Sequence, residues 1–439
     1  MFRLKKLYKG ELLQYSKSTF WGLFNRILLL SMSFITSILI ARYLGPVKFG
    51  ELTYFISIIA ILMPIVDFGL IGIFVKELVQ NEQNNNRILG SVFVFKFLVA
   101  LLLVLFCALF SFYQIDTFEE RCLFLIISVS LIFHPLNSLE FWFESKVKIG
   151  KTSLMKTLFL FISALVKISF IYFNFSLWYF GLAYSIEVFL VGVSLVISFL
   201  IEKESFLKWR FDFNIIRRLL SKSWLLFLSG ISAIVYFKID QIMLKKLFTF
   251  QELGFYSAAI KFSEAWYFLP HIITSALFPA LIKVKNDKEK YNGRFQKLSD
   301  ILFLASISIA IIVSLLSQYI IDLTYGEAYE SSAAILSIHV WSGIFVFFSA
   351  ILSKWLIVEE YYVYSLVVQL SGAIINVVLN LFLIPNYGGI GAAYATLISY
   401  TFSSIIIIAI LPKTRKIAYI FMKSFLIPIR LVNRIKLFD

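Results

Sequence analysis

Apolar residues in this chain do not alternate with polar ones; they gather into long runs separated by short clusters of polar residues, glycine or proline. The runs cover residues 20–41, 52–74, 88–112, 122–143, 153–173, 177–200, 220–247, 253–281, 298–321, 331–357, 361–384 and 389–411. A helix crossing a hydrocarbon core needs about 20 mostly apolar residues, and each run is of that order. The pattern predicts about twelve transmembrane helices joined by connections as short as helix bundles usually have. The largest polar segments, Glu202–Lys222 and Lys283–Lys297, leave no room for a soluble domain. After Pro412 a basic, partly apolar tail, interrupted by Pro428, reads as an interfacial cytoplasmic segment and not as a further span.

Composition supports the same class. Of 439 residues, 60% are hydrophobic and 15% charged, with 48 Phe and 22 Tyr, where a soluble domain carries about 25% charged residues. One aqueous core cannot bury so much apolar surface, so the bilayer must act as its solvent. Phe and Tyr suit a lipid-facing surface with aromatic residues at its interfaces. The apolar run from Trp21 to Ile40 is too long for a signal-peptide core and reads as a retained first helix. Cys107 and Cys122 are the only cysteines, with no ligand spacing around them, so neither a disulfide scaffold nor a zinc site is expected.

Charge placement sets an orientation. On one side of the predicted helices stand Arg3, Lys5, Lys6, Lys9 and Lys17, then Lys76 and Arg87, then Lys146, Lys148 and Lys151. The linker cations from Lys203 to Lys222, the group from Lys283 to Lys297, Lys354 and the tail residues follow on that side. That side carries about 30 cations and the other about five, namely Arg42, Lys48, Arg121, Lys245 and Lys246. Cytoplasmic loops hold the excess of Lys and Arg, so both termini are expected in the cytoplasm. The net charge of +15 is then a topology signal. No nucleic-acid partner is expected, because the cations are dispersed and no binding motif accompanies them.

The two halves of the chain resemble each other. Tyr43-Leu-Gly-Pro-Val-Lys-Phe-Gly50 lines up with Leu247-Phe-Thr-Phe-Gln-Glu-Leu-Gly254, and Gly181-Leu-Ala-Tyr184 with Gly391-Ala-Ala-Tyr394. Six helices per half give parallel repeats about an axis along the membrane normal, with a central cavity between two bundles. The expected organisation is a basic N-terminus (1–19), an N-terminal six-helix bundle (20–201), a cytoplasmic linker (202–219), a C-terminal six-helix bundle (220–411) and a basic tail (412–439). The fold class is therefore all-α and integral to the membrane.

Ionisable residues remain inside the predicted spans. The cations are Arg26, Lys96, Lys167, Lys238 and Lys261, with Lys156 nearer an end; the acids are Asp67, Glu187, Asp240 and Glu264. A charge at a helix centre costs about 2.5–3.5 kcal/mol on insertion scales, so such residues face a bundle interior or a watery cavity. At about 1.5 Å per residue, Arg26 and Asp67 lie about 22 and 24 Å from the outer ends of their helices, at one depth, which predicts a salt bridge. Lys238 and Lys261 fall about 13 Å below an outer turn, and Glu264 shares a helical face with Lys261. Two readings stay open: a cationic cavity for an anionic solute such as a pyrophosphate, or internal ion pairs and snorkelling that only lock helices. His339 reads as a satisfied interior histidine.

No catalytic motif stands out. Ser145-Lys-Val-Lys-Ile-Gly150-Lys151-Thr152 imitates a P-loop but has Ser where the loop needs Gly, and it joins two membrane helices. There is no HExxH, GxSxG or DxD. The outer loops are mostly turns, which argues against an enzyme, and no cofactor is expected.

Several segments resemble polysaccharide-export flippases. Ala41-Arg-Tyr-Leu-Gly-Pro-Val-Lys-Phe-Gly50 and Asp67-Phe-Gly-Leu70 resemble the opening of that family. Lys238-Ile-Asp-Gln-Ile-Met-Leu244, Glu252-Leu-Gly-Phe-Tyr-Ser-Ala-Ala259 and Leu277-Phe-Pro-Ala280 resemble the start of its second half. Asn376-Val-Val-Leu-Asn380 and Ile384-Pro-Asn-Tyr-Gly-Gly-Ile-Gly-Ala-Ala-Tyr-Ala-Thr396 resemble its last helix junction. The family is the O-antigen and capsule-repeat flippase group of the multidrug/oligosaccharidyl-lipid/polysaccharide (MOP) superfamily. The resemblance implies a two-lobed bundle working by alternating access in the bacterial inner membrane. Its implied substrate is an undecaprenyl-pyrophosphate-linked oligosaccharide moved from the inner to the outer leaflet, in some members with an ion gradient. Implied partners are that lipid-linked oligosaccharide, membrane lipids, and a repeat-unit polymerase with chain-length proteins. Asp67 and Asp240 lie within matched motifs; Arg26, Lys96, Lys167 and Lys261 rest on depth alone. The rivals are a multidrug exporter, which should prefer acidic residues for organic cations, another glycolipid flippase, a membrane scaffold, and a repeat-unit polymerase.

Overall fold

The computed structural model describes residues 2–146, 148–427 and 430, and among these the side chains other than those of 2–27, 149, 151 and 279. The described chain is almost entirely helical, with no strand. Nine helices among the described residues are long and apolar enough to cross a membrane. Two of them, Leu28–Gln80 with 53 residues and Tyr362–Ile410 with 49, are far too long for one crossing. A straight helix of that length would run about 75–80 Å through a core about 30 Å thick. Each holds two of the predicted runs and turns at a glycine, Gly45 (φ 72°) and Gly388 (φ 54°). Only glycine takes that backbone region without strain. The predicted run 253–281 is not continuous: it divides into Phe250–Glu264 and Phe268–Ile282. The helix predicted to begin at residue 220 begins at Phe213, because polar residues such as Arg217 and Arg218 continue the helix beyond the apolar run.

Burial is reversed relative to a water-soluble bundle. In the helix Glu82–Gln114 only 22% of the most apolar window is buried, and Leu102 and Phe112 are exposed. These side chains meet lipid, so packing is driven by shape and polar contacts and not by escape from water.

By contacts the chain forms two compact units: residues 1–44 with 58–230, and residues 45–57 with 231–439. The first has a core built on Phe74, Val92, Trp142, Phe143 and Phe199. The second has one built on Phe295, Phe303, Phe348, Trp355 and Phe421. The amphipathic helix Arg415–Phe425 packs into this second core through Ile417 and Phe421 and leaves Tyr419 and Met422 exposed. The tail beyond Arg430, with Arg434 and Lys436, lies outside the described residues.

The second unit brings the two repeat-matched glycines together. A Cβ on Gly50 would lie 1.9 Å from the Phe250 carbonyl oxygen, and one on Gly254 would lie 2.0 Å from that of Pro46. The clash is reciprocal, each glycine meeting the residue four before the other. One turn on, Ser257 donates to Thr53 at 3.1 Å, a pair again 204 positions apart. Residues matched by the repeat therefore pack against their own counterparts, as about a local two-fold axis.

Candidate functional site

Each unit holds a carboxylate inside its predicted spans, Asp67 partly buried in the first and Asp240 buried in the second, and the two are satisfied differently. In the first unit, Asp67 is the last residue of the helix Phe2–Asp67. The chain breaks immediately after it, with Phe68 (φ 44°) and Gly69 (φ 64°) both left-handed. Gly69 is required there twice over, since a Cβ would come within 2.4 Å of the Phe227 amide nitrogen. Phe68 stacks on Phe227 at 4.2 Å. Lys96, from the helix Asn85–Gln114, reaches Asp67 Oδ1 with its Nζ at 2.9 Å and is completely buried. His134 Nε2 lies 3.1 Å from Asp67 Oδ2, and Asn137 Nδ2 lies 3.2 Å from His134 Nδ1. His134–Asn137 is itself a short 3-10 segment interrupting the fourth predicted helix. The Lys96 ammonium also sits 5.3 Å from the Phe141 ring centroid, a favourable cation–π contact.

The expected partner of Asp67, Arg26, has its side chain outside the described residues. Among the described residues Asp67 is held by Lys96 and His134. Elsewhere in this unit Lys167 pairs with Glu187, which also accepts from Ser163 at 3.0 Å. The pair edges a cavity of about 330 Å³ lined by Leu29, Met32, Thr36 and Leu160. Lys156 pairs with Glu140.

In the second unit Asp240 is buried and surrounded by neutral groups. Tyr256 Oη donates to Oδ2 at 2.8 Å and Thr396 Oγ1 to the same oxygen at 2.5 Å. Asn380 Nδ2 donates to Oδ1 at 2.6 Å and to Asn376 Oδ1 at 3.0 Å. The Ala392 carbonyl lies 3.0 Å from Thr396 Oγ1. Asn380 Oδ1 is buried without a hydrogen-bond partner, an arrangement that costs stability unless something else satisfies it. Beside the Asn380 amide nitrogen the shell holds hard oxygens, of the carboxylate, Thr396 Oγ1, the two asparagine side chains and the Ala392 carbonyl, the kind that alkali and alkaline-earth cations take. One carboxylate balances one positive charge, so a monovalent cation fits better than a divalent one. No group of three His, Cys, Asp or Glu lies together among the described residues.

Glu264, on the same helix as Lys261, lies within electrostatic reach of both Lys238 and Lys261. All three are partly buried. His339 is buried, with Ser263 Oγ at 2.7 Å from its Nδ1.

Three of the segments that carried the family resemblance meet at Asp240. Tyr256 lies in Glu252–Ala259, Asn376 and Asn380 bound their own motif, and Ala392 and Thr396 close the next. The i, i+4 spacing of the two asparagines puts them on one helical face, a signal for this site present in the sequence. His134 is marked only by its neighbour Pro135, a helix breaker inside the run 122–143 that is expected as one helix.

Comparison with known proteins places these features. Residues 39–334 match the family described as Polysaccharide biosynthesis protein, and residues 258–433 match the family described as Lipid II flippase MurJ. A probable flippase, AglR of Haloferax volcanii, is 28% identical over 289 residues, 61% of this chain; the match spans 56% of that protein, just over half its length. The fold is similar to that of the lipid II flippase MurJ in an inward closed conformation, with TM-score 0.71, 21% identity, and 94% and 91% of the two chains covered. It is also similar to an inward-facing multidrug resistance MATE transporter of the MOP superfamily, with TM-score 0.73, 12% identity, and 90% and 95% covered. An all-α, multi-pass membrane chain with this fold, matched over residues 39–334, belongs to the polysaccharide biosynthesis protein family.

Proposed function

We propose that this protein is a flippase that carries a polyprenyl-pyrophosphate-linked oligosaccharide from the inner to the outer leaflet of a bacterial inner membrane, by alternating access coupled to an ion. Family membership over residues 39–334 is the observation that carries the reading. A pyrophosphate and its sugars cannot cross hydrocarbon unaided, because buried charge and unpaired hydroxyls are costly. Lys238 and Lys261, grouped around Glu264, supply cationic groups within the second unit for the pyrophosphate. Arginine and lysine inside a membrane mark substrate paths. Lys96 and Lys167 are each engaged with an acid, so in this reading they act as ties within the first unit.

Asp240 is the coupling residue in this proposal. A monovalent cation would be held by Asp240, Asn376, Asn380, Thr396 and the Ala392 carbonyl, and would supply the charge that the hydroxyl and amide donors now balance. Tyr256 and Thr396 keep the carboxylate oriented, and Asn380 offers its unpaired oxygen. The excess of cations on one side supports cytoplasmic termini in this reading. A repeat-unit polymerase and chain-length proteins are the partners that would consume the product.

The test is deletion of the gene in its host, followed by mass spectrometry of extracted lipids and a periplasmic probe of their leaflet. Complete lipid-linked units accumulating on the cytoplasmic leaflet, with loss of surface polysaccharide, are expected. Units reaching the outer leaflet normally would remove this reading and move drug export ahead.

A further inference from the structure

The first unit contains two helix interruptions that meet at one cluster. The chain breaks after Asp67, where Phe68 and Gly69 are left-handed, and again at the 3-10 segment His134–Asn137. Asp67 ties them: Oδ1 receives Lys96 at 2.9 Å and Oδ2 faces His134 Nε2 at 3.1 Å. Asn137 Nδ2 faces the other ring nitrogen at 3.2 Å. The Asn137 amide can donate to an unprotonated Nδ1 through its NH2 group or, turned over, accept from a protonated one through its oxygen.

We propose that the Asp67–Lys96–His134–Asn137 cluster is a proton site, and that a proton taken up by His134 locks the two helix interruptions together. Imidazole is the side chain suited to change charge between pH 5 and 8. Protonation puts a hydrogen on Nδ1, where it meets the amino group of Asn137; that amide must turn over and offer its oxygen. Asp67 then bridges two cations, one from the helix Asn85–Gln114 and one from the interruption at His134. The bridge is stronger than the neutral hydrogen bond, because charge-assisted bonds are roughly twice as strong. The proton is therefore read as a change in stiffness at Phe68–Gly69, a turn also held by the Phe68 amide on the Pro64 carbonyl at 2.9 Å and by Phe68 against Phe95 and Phe227.

Other ionisable groups on the elements packed against His134 are engaged or lie away along their helices. Glu140 is paired with Lys156 and Glu187 with Lys167. Glu144 is exposed at the end of its helix. Tyr179 and Tyr184 stand on the helix Leu177–Ile201, and Arg87, Cys107 and Tyr113 lie toward the ends of the helix that bears Lys96. Asp67 and Lys96 are the charges in contact with the site. The cluster is separate from the Asp240 shell, and the inference does not depend on what the protein carries.

The experiment is hydrogen–deuterium exchange on the full chain in lipid nanodiscs, at about pH 5.5 and about pH 8, corrected for intrinsic exchange. The amides read are those of residues 64–74 and 130–138. The wild type should show about tenfold greater protection at the lower pH, the population shift of an opening equilibrium by one decade. His134→Gln should abolish that difference. Asn137→Asp, which places a carboxylate against Nδ1 and keeps the ring charged, should show the high protection at both pH values. A second readout comes from 15N-histidine NMR, where the chain has only three histidines to resolve. Wild-type protection that does not change with pH overturns the proposal. So does a pH response that survives in His134→Gln or in Asn137→Asp.

Discussion

The intramembrane carboxylates of the two units, Asp67 and Asp240, show two ways of holding a charge inside a helix bundle. Asp67 is met by the charge of a buried lysine on one oxygen and by a histidine ring on the other. Asp240 is met by dipoles: two hydroxyls and an amide, with a further amide oxygen left without a partner. The first arrangement is complete, and removing one member leaves a charge stranded. In the second the carboxylate is balanced by hydrogen bonds from neutral groups. In the readings proposed above, the first arrangement ties helices under the control of a proton and the second loads and unloads a cation. That contrast can be broken or sharpened by substitution.

The largest effect is expected at Asp240. Asp240→Asn should leave folding intact or slightly improved, since it removes an uncompensated buried charge. Transport should fall by about a hundredfold if the coupling free energy is of the usual size. Measured together, unfolding midpoint and transport rate should move in opposite directions. Next comes Lys96→Met, which strands Asp67 and should cost about 3 kcal/mol, read by unfolding in a lipid-like detergent. The double variant with Asp67→Asn should recover much of that loss, a coupling only a double-mutant cycle exposes.

A purely steric change should rank third. Gly254→Ala sets a methyl 2.0 Å from the Pro46 carbonyl oxygen, and backbone cannot retreat as a side chain can. About 2 kcal/mol of overpacking is expected, and Gly50→Ala should behave alike because the contact is reciprocal. Smaller still is Glu187→Gln. Lys167 and Glu187 keep 14% and 29% of their side-chain surface accessible, so screening should hold the loss near about 1 kcal/mol. The smallest effect lies outside the membrane. Asp287 caps the helix Lys288–Leu315, accepting from the Lys290 backbone amide at 3.1 Å. The hydrogen bond from the Lys290 side chain holds its carboxyl below the usual carboxylate range. Its contribution is thus fully present above the ordinary carboxylate pKa and fades as pH falls through the lowered one, a difference that Asp287→Ala should erase in acid unfolding curves.

Depth along each helix was readable from sequence, and direction around the axis was not. The reckoning that set Asp67 opposite Arg26 also puts Lys96 about 12 Å from the inner end of its own run, a comparable depth. Nothing in a lone apolar run says which face a residue takes, so Lys96 stood among candidate cavity residues while the fold gives it to Asp67. Asp240 was legible as a buried acid, and its shell lay inside the quoted motifs. What joins them is tertiary: Tyr256, Asn380 and Thr396 come from helices up to 156 positions away. The breaks at Gly45 and Gly388 were visible as glycine and proline. The one at Ala265–Tyr267 was marked only indirectly, by Pro270, which lacks the amide hydrogen that would bond back to the Trp266 carbonyl.

The most direct test is reconstitution of the purified chain into vesicles holding a polyprenyl-pyrophosphate oligosaccharide in one leaflet. Transfer is followed by an enzyme or probe confined to the other side. The account predicts transfer by the wild type that responds to an imposed monovalent-cation gradient, loss of that response in Asp240→Asn, and slow transfer in Lys238→Gln and Lys261→Gln. Transfer no faster than in protein-free vesicles, or an undiminished gradient response in Asp240→Asn, would contradict it.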